Sequence, residues 1–326
     1  MSYLIDNLGQ LTVNGITKGA IYALIALGYT LVYGVLRLIN FAHSEVFMTG
    51  TYAVLTVWTV MGVTNDPPLA AAIGFLLIGL VAATAASGGL ALVIERVAYK
   101  PLRRKNAPPL IFLITAIGVS VILVEIFGFL LPRWGQGFLP EFFNRERPNL
   151  LGFPTLIRSV DLFSIGGFTV TNIQLIVVVA AVAMMIGLDL FINRTKYGRG
   201  VRAVAQSPET AALMGVNQDR VIMLIFVLGG IMAGAAALLW AMRFGITHPS
   251  VGFVLGLKAL TAAVLGGIGN LRGALLGGIV LGIVEVYAAA MTSSAWEDVF
   301  AFVILIIVLM FRPTGILGES LGRARA

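Results

Sequence analysis

Between Leu69 and Val97 the chain runs through 29 residues whose only charged side chains are Glu95 and Arg96 at its far end. Coiled as an α-helix at 1.5 Å per residue, that run is longer than the roughly 30 Å hydrocarbon core of a bilayer. Comparable runs recur at Gly15–Leu36, Pro108–Leu131, Ile173–Ile192, Val221–Met242, Ala274–Ala290 and Val299–Phe311. Two more, Glu45–Met61 and Val251–Gly267, are weakened by polar residues around Asn40–Gly50 and Thr247–Gly256; they read as full spans, broken helices or re-entrant turns. In lipid every backbone N–H and C=O must be satisfied internally, which leaves the helix as the element for such segments. The expected fold is therefore all-α: one polytopic integral membrane domain over residues 1–326, with about eight to ten transmembrane or re-entrant helices.

Composition agrees. The chain is 59% apolar and 11% charged, against about 25% charged in soluble domains, so it lacks the polar residues to coat a soluble core of this size. It holds no cysteine, which excludes disulfides and thiolate-bound metals. A net charge of +7 would suggest nucleic acid in a soluble protein. Here the basic residues cluster in short loops, so they report orientation and no nucleic-acid partner is expected. Arg96, Lys100, Arg103, Arg104 and Lys105 form one cluster; Arg194, Lys196, Arg199 and Arg202 form a second; Arg312, Arg323 and Arg325 form the third. All three should face the cytoplasm, with a cytoplasmic C-terminus. Residues 132–172 mix both charge signs with Pro, Gly and aromatics, as an external loop would. The start of the chain carries Asp6 and no basic stretch, so the first span reads as retained rather than as a signal peptide.

Enzyme signatures are missing. No G-x-x-x-x-G-K-[ST] loop occurs, so this chain does not cradle a nucleotide by that route, and no H-E-x-x-H pair occurs. Neither a catalytic residue nor a metal or cofactor site is expected. Gly-rich Leu265–Gly273 sits between apolar spans rather than in a strand–turn–helix unit. The glycines from Gly266 to Gly282 include pairs four apart, the spacing that lets helices approach closely in lipid. Their alternative role is a flexible turn (Gly266, Gly267, Gly269) that lines or gates a passage.

Ionisable groups inside spans are costly and are functional candidates by default. Lys18, Glu45, Glu125, Lys258 and Glu285 qualify. Glu45 lies near Asn40 and His43, either as a candidate pathway or gate or as a local cap or buried ion pair; Glu125 reads as reaching the interface, Lys18 as snorkelling, and Lys258 with Glu285 as a structural pair. The two histidines, His43 and His248, sit in stretches that echo each other. Arg37, His43 and Gly50 are matched by Arg243, His248 and Gly256, with His displaced by one. Repeats with broken helices at matching positions mark transporter pathways.

One segment is polar between two apolar ones. Ser207 can cap a helix, Pro208 fits its first position and Glu209 complements its dipole. Gly215 suits the left-handed residue that ends it. The predicted helix, Pro208–Met214, is about two turns long, too short to stand alone in water. It needs a surface to pack on, and Ala211, Ala212, Leu213 and Met214 offer only a modest apolar face.

"ETAALMG" (Glu209–Gly215) resembles the Glu-Ala-Ala-x-x-x-Gly loop of ABC-importer permeases, with Thr210 in place of the first Ala. Asn14–Tyr52, Ile94–Arg103, Gly215–Ile222, Leu257–Glu285 and "RPTGILG" (Arg312–Gly318) are similar to the branched-chain amino-acid ABC transporter permease family, in particular its H-type subunit. The likeness runs through nearly the whole chain except residues 132–172. It implies an inner-membrane permease that works with a second homologous permease, two cytoplasmic ATPases holding ATP and Mg, and a solute-binding protein. It also implies that residues 207–215 are a cytoplasmic coupling helix docked on an ATPase. Ser207, Pro208, Glu209, Thr210, Ala211, Ala212 and Gly215 would form it, with Arg199 and Arg202 in support. Relatives that import urea or another small solute are the alternative within this class. A secondary transporter or channel, driven through its intramembrane ionisable groups, is the alternative outside it.

Overall fold

The computed structural model describes residues 7–130, 150–165, 168–312 and 314–318. The expected helices form at all nine places. They are α1 (Leu8–Leu36), α2 (His43–Val60), α3 (Leu69–Ile94), α4 (Pro109–Glu125), α5 (Asn172–Arg194), then, past two short helices, α8 (Gln218–Phe244), α9 (Val251–Gly266), α10 (Leu271–Met291) and α11 (Glu297–Phe311). The short ones are α6 (Lys196–Gln206) and α7 (Pro208–Leu213). Among the described residues seven helices are long and apolar enough to cross a membrane. The other two, α2 and α9, are the segments whose sequence signal is weak. α3 runs on through a π-helical turn, Glu95–Tyr99, into Lys100–Arg104.

Several of the long helices start or stop for a visible local reason. Thr171 and Gln174 form a capping box at the start of α5, each side chain bonded to the other's backbone N–H (3.3 and 2.9 Å). Asn270 accepts from the N–H groups of Arg272 and Gly273 at the start of α10. α1 and α8 both end in a left-handed residue, Arg37 at φ 54° and Gly245 at φ 67°, which turns the chain out of the helix axis.

The helices alternate in direction. The first turn of α1 touches residues 168–169, whereas its last turn shares a cavity with Arg103. α8 begins beside Lys100 and Arg103, paired with Asp219, and ends beside Phe153. The molecule thus has a basic end and a loop end. In the described part of residues 132–172, β1 (Leu151–Gly152) pairs antiparallel with β4 (Ile246–Thr247), and β2 (Asp161–Ile165) with β3 (Phe168–Thr171). Among the described residues these ribbons are the one departure from an all-helical chain. Arg158 donates to Asp66 at the same end (2.8 Å), and that bond holds the Asp66 carboxyl below its usual range.

The helices do form a repeat, although not in the register of the sequence echo. α1 packs on α10 as α8 packs on α3; α2 packs on α3 as α9 packs on α10; and α2 lies against α8 as α9 lies against α1. The unit α1–α2–α3 therefore reappears, inverted, as α8–α9–α10. Small residues make the equivalent contacts. Gly15 and Gly19 meet Gly278 and Gly282 between α1 and α10; Gly230 and Gly234 meet Gly88 and Ala83 between α8 and α3. Without Cβ atoms the backbones approach closely, which supplies the packing that water exclusion cannot supply in lipid.

Candidate functional sites

At the basic end the chain leaves α5 and turns sharply. Thr195 caps α6 by accepting from the Gly198 N–H (3.0 Å). Gly198 is required at this turn because a Cβ there would collide with the Phe191 and Ile192 carbonyls. α6 is amphipathic: Val201 and Val204 are buried against the core, whereas Tyr197 and Arg199 face outward. Arg202 donates to the Ile192 carbonyl, so it ties down the end of α5.

α7 then forms as the capping residues dictate. The Ser207 hydroxyl accepts from the Thr210 N–H (3.3 Å), Pro208 opens the helix, and Ala211 is buried. Gly215 has φ +81°, with its N–H bonded to the Ala212 carbonyl and the Val216 N–H bonded to the Ala211 carbonyl. The helix is one residue shorter than expected. Glu209 lies exposed in its first turn. Leu213 and Met214 stand 88% and 80% exposed at its tip, although both are large and apolar.

This tip is tied rigidly to the spans. The Gln218 side chain donates to the Pro208 carbonyl (2.5 Å), which links α7 to α8. Asp219 binds Lys100 (3.0 Å) and Arg103 (2.6 Å), and Arg103 also reaches buried Glu95 (3.1 Å). α7 is thus connected both to α8 and to the extension of α3. α6 packs against α1 as well.

The second site lies in the interior, where the first turn of α2 crosses the first two turns of α9. A Cβ at Gly252 would stand 2.5 Å from the Ser44 carbonyl oxygen and 2.7 Å from Glu45 Oε2, and one at Gly256 would stand 3.0 Å from the Tyr29 hydroxyl. The crossing is deep: His43 lies against Gly28 and Gly229, near the middle of α8, and edge-on to Tyr29 at 4.9 Å. Glu45 is fully buried. Its Oε1 accepts from the Ser44 and Ser120 hydroxyls (3.2 and 3.0 Å). Its Oε2 has no hydrogen-bond partner among the described residues. Asn40 is also buried and accepts from the Tyr99 hydroxyl (3.0 Å), which connects the crossing to the basic end.

Residues 11–309 match the family described as branched-chain amino acid transport system / permease component. The chain belongs to this family. It is 40% identical over 316 residues, 95% of each chain, to the high-affinity branched-chain amino acid transport system permease protein BraD of Pseudomonas aeruginosa. It is 40% identical over 309 residues, 94% of each chain, to the permease protein LivH of the same kind of system in Escherichia coli. A probable branched-chain amino acid transport permease from Methanocaldococcus jannaschii matches at 26% over 324 residues. No solved structure matches. The protein is thus a multi-pass membrane permease.

The remaining candidate residues of this permease fall elsewhere. Gly266, Gly267 and Gly269 form the α9–α10 turn at the basic end. Gly267 and Gly269 have φ +106° and +99°, and residues 314–318 lie across the turn. Ile316 and Leu317 donate to the Leu265 and Gly266 carbonyls (2.8 and 3.0 Å), and Asn270 donates to the Leu317 carbonyl. That turn is held by the chain's own C-terminal segment and is not part of the α2–α9 crossing. His248 lies in the α8–α9 connection, bonded to Ser250 (3.1 Å). Lys258 does pair with Glu285. Lys18 does not snorkel: it binds Glu285 (3.3 Å) and Glu297 (2.6 Å), while Asp298 binds Lys258 (2.5 Å). Sequence reading overlooked Ser44 and Ser120 beside Glu45, and counted Leu213 and Met214 toward a packing face although both stand in water.

Proposed function

We propose that this chain is the transmembrane permease subunit of an ATP-driven ABC importer of branched-chain or other neutral amino acids. Its partners are a second homologous permease, two cytoplasmic ATPases that hold ATP and Mg, and a solute-binding protein on the other side of the membrane. The basic end, where residues 314–318 lie, faces the cytoplasm, a side that its lysines and arginines favour.

The observation that carries the proposal is the tip of α7. Two large apolar side chains held out into water are unfavourable for the isolated chain and fit a cleft in a partner. α7 is too short to hold itself and is fixed at its base by Gln218 and Ser207. Leu213 and Met214 enter the ATPase cleft, Glu209 and Gly215 set the geometry of the tip, and Arg199 adds electrostatic contact. ATPase closure pushes α7, and the Asp219 pairs and α6 pass the push to α8, α3 and α1. These helices carry the α2–α9 crossing, which is the passage. The two states of the passage must differ in how α7 is held, since a partner shifts an equilibrium only by its differential affinity.

The test is leucine uptake into proteoliposomes holding the four membrane-associated subunits, with loaded binding protein outside. Uptake should require ATP and all subunits. Uptake by this chain alone, without ATP, would replace the proposal with a secondary transporter or channel.

A further inference from the structure

α3 does not stay α-helical to its end. At Glu95–Tyr99 it widens into a π-turn, in which the Lys100 N–H bonds the Glu95 carbonyl five residues back. Such turns are points at which helices bend, and they recur at functional sites. Glu95 and Tyr99 are buried, whereas Arg96 and Val97 between them are exposed. Arg103, four residues past Tyr99, reaches back to Glu95 (3.1 Å), so Glu95, Tyr99 and Arg103 lie along one inward stripe.

The two parts of α3 are tied to different neighbours. Ahead of the turn, the Ser87 hydroxyl donates to the Val46 carbonyl (2.8 Å), which holds that part to α2. Past the turn, Lys100 and Arg103 hold Asp219 (3.0 and 2.6 Å), the residue after Gln218, whose side chain binds α7. Tyr99 stands at the division. Its ring is tilted against Phe112 of α4 at 5.7 Å and edge-on to Phe226 of α8 at 5.1 Å. Its hydroxyl donates to Asn40 Oδ1 (3.0 Å). Asn40 is buried in the connection 37–42, and its carbonyl accepts from the His43 N–H (3.1 Å) where α2 opens. Glu45, at the α2–α9 crossing, follows two residues later.

We propose that Tyr99 and Asn40 are the positioning residues that couple the ATPase side to the passage, with the π-turn as the hinge. A push on α7 moves Asp219 and with it Lys100 and Arg103. α3 then bends at the π-turn, and Tyr99 carries the start of α2, and so the crossing, between its two states. Neither residue touches cargo. This rests on the importer reading above and names the contact through which that importer is driven.

The test is the leucine taken up per ATP hydrolysed, in proteoliposomes holding both permeases and both ATPases, with loaded binding protein outside. Tyr99→Phe removes one oxygen and keeps the ring between Phe112 and Phe226. It should lower the ratio about fivefold, the factor that one hydrogen bond supplies. Asn40→Leu, which removes the acceptor, should lower it equally, and the double variant no further, because both changes break the same bond. Thr51→Val is the control: it removes a buried bond to Thr247 (2.7 Å) two turns along α2 and should keep the ratio. If Asn40→Leu does not assemble, Tyr99→Phe against Thr51→Val decides. An equal loss in Thr51→Val, or losses that multiply in the double variant, overturn the proposal. ATP-driven uptake with an unchanged ratio in Tyr99→Phe removes this contact and leaves the importer reading standing. Uptake without ATP by the unmodified complex removes the importer reading itself.

Discussion

The charge cluster where Lys18 of α1, Lys258 of α9 and Glu285 of α10 meet the start of α11 yields a prediction whose sign differs between neighbouring residues. Glu285 is fully buried and sits between Lys258 and Lys18. Each lysine also holds an acid near the start of α11: Lys18 binds Glu297 and Lys258 binds Asp298. Lys258→Met leaves Glu285 with Lys18 alone, at 3.3 Å and with Oε2 still unpartnered. Stripping one partner from a buried pair costs about 3–5 kcal/mol; the remaining lysine puts this case near about 3. Glu285→Gln instead leaves each lysine with an acid on α11, Asp298 being half exposed and Glu297 a quarter exposed. The loss is then about 1.5 kcal/mol, that of one charge-assisted hydrogen bond. Combining the two, Lys258→Met with Glu285→Gln, removes the uncompensated buried charge and should restore most of the stability that Lys258→Met loses. SDS-titrated unfolding of the reconstituted complex measures all three, and the cycle should show a coupling of at least about 2 kcal/mol. Equal costs for the single changes, or an additive cycle, would show that Glu285 is not held chiefly by Lys258 and refute the reasoning.

Three further outcomes follow from the same geometry. Leu213→Ser with Met214→Ser should cut ATP-driven uptake by tenfold or more and weaken co-purification of the ATPase while leaving the melting temperature unchanged, because both side chains are already in water. A Cβ at Gly215 would meet no atom within 4 Å, so only the backbone at φ +81° resists substitution. Gly215→Asn should therefore retain coupling, whereas Gly215→Val should strain the cap by about 1–3 kcal/mol and let ATP hydrolysis run without uptake. Gly19→Leu should prevent stable assembly, seen as loss of the monodisperse peak in detergent, since its Cβ would stand 2.7 Å from Ile279 Cα and overpacking at backbone contact cannot be relieved by a rotamer.

Seven of the helices were legible because each is a run long enough to cross a bilayer, and the caps of α7 because capping is local chemistry. What escaped was non-local. Lys18 reads as a snorkelling residue only while its partner Glu297, 279 positions away, is out of view. The Gly266–Gly269 turn reads as flexible only without residues 314–318 laid across it. Leu213 and Met214 look like half of a modest apolar face because sequence cannot tell which side of a two-turn helix its neighbours cover; Ala211 takes the buried side and the large residues are left outside.

The repeat shows the same limit in another form. Residue identity pairs Arg37 with Arg243, but the backbone pairs Arg37 with Gly245, two positions later, because these are the left-handed residues that end α1 and α8. From them the two connections, residues 37–42 and 245–250, are equally long and deliver α2 and α9 in opposite senses to the same crossing. On that pairing Ser44 corresponds to Gly252, and these two residues touch each other, as residues beside a two-fold axis must. What the inverted halves share is thus a turn and a length rather than a string of side chains. That leaves the residues at the axis free to differ, and they do: one half supplies Ser44 and Glu45, the other Gly252, against which they pack.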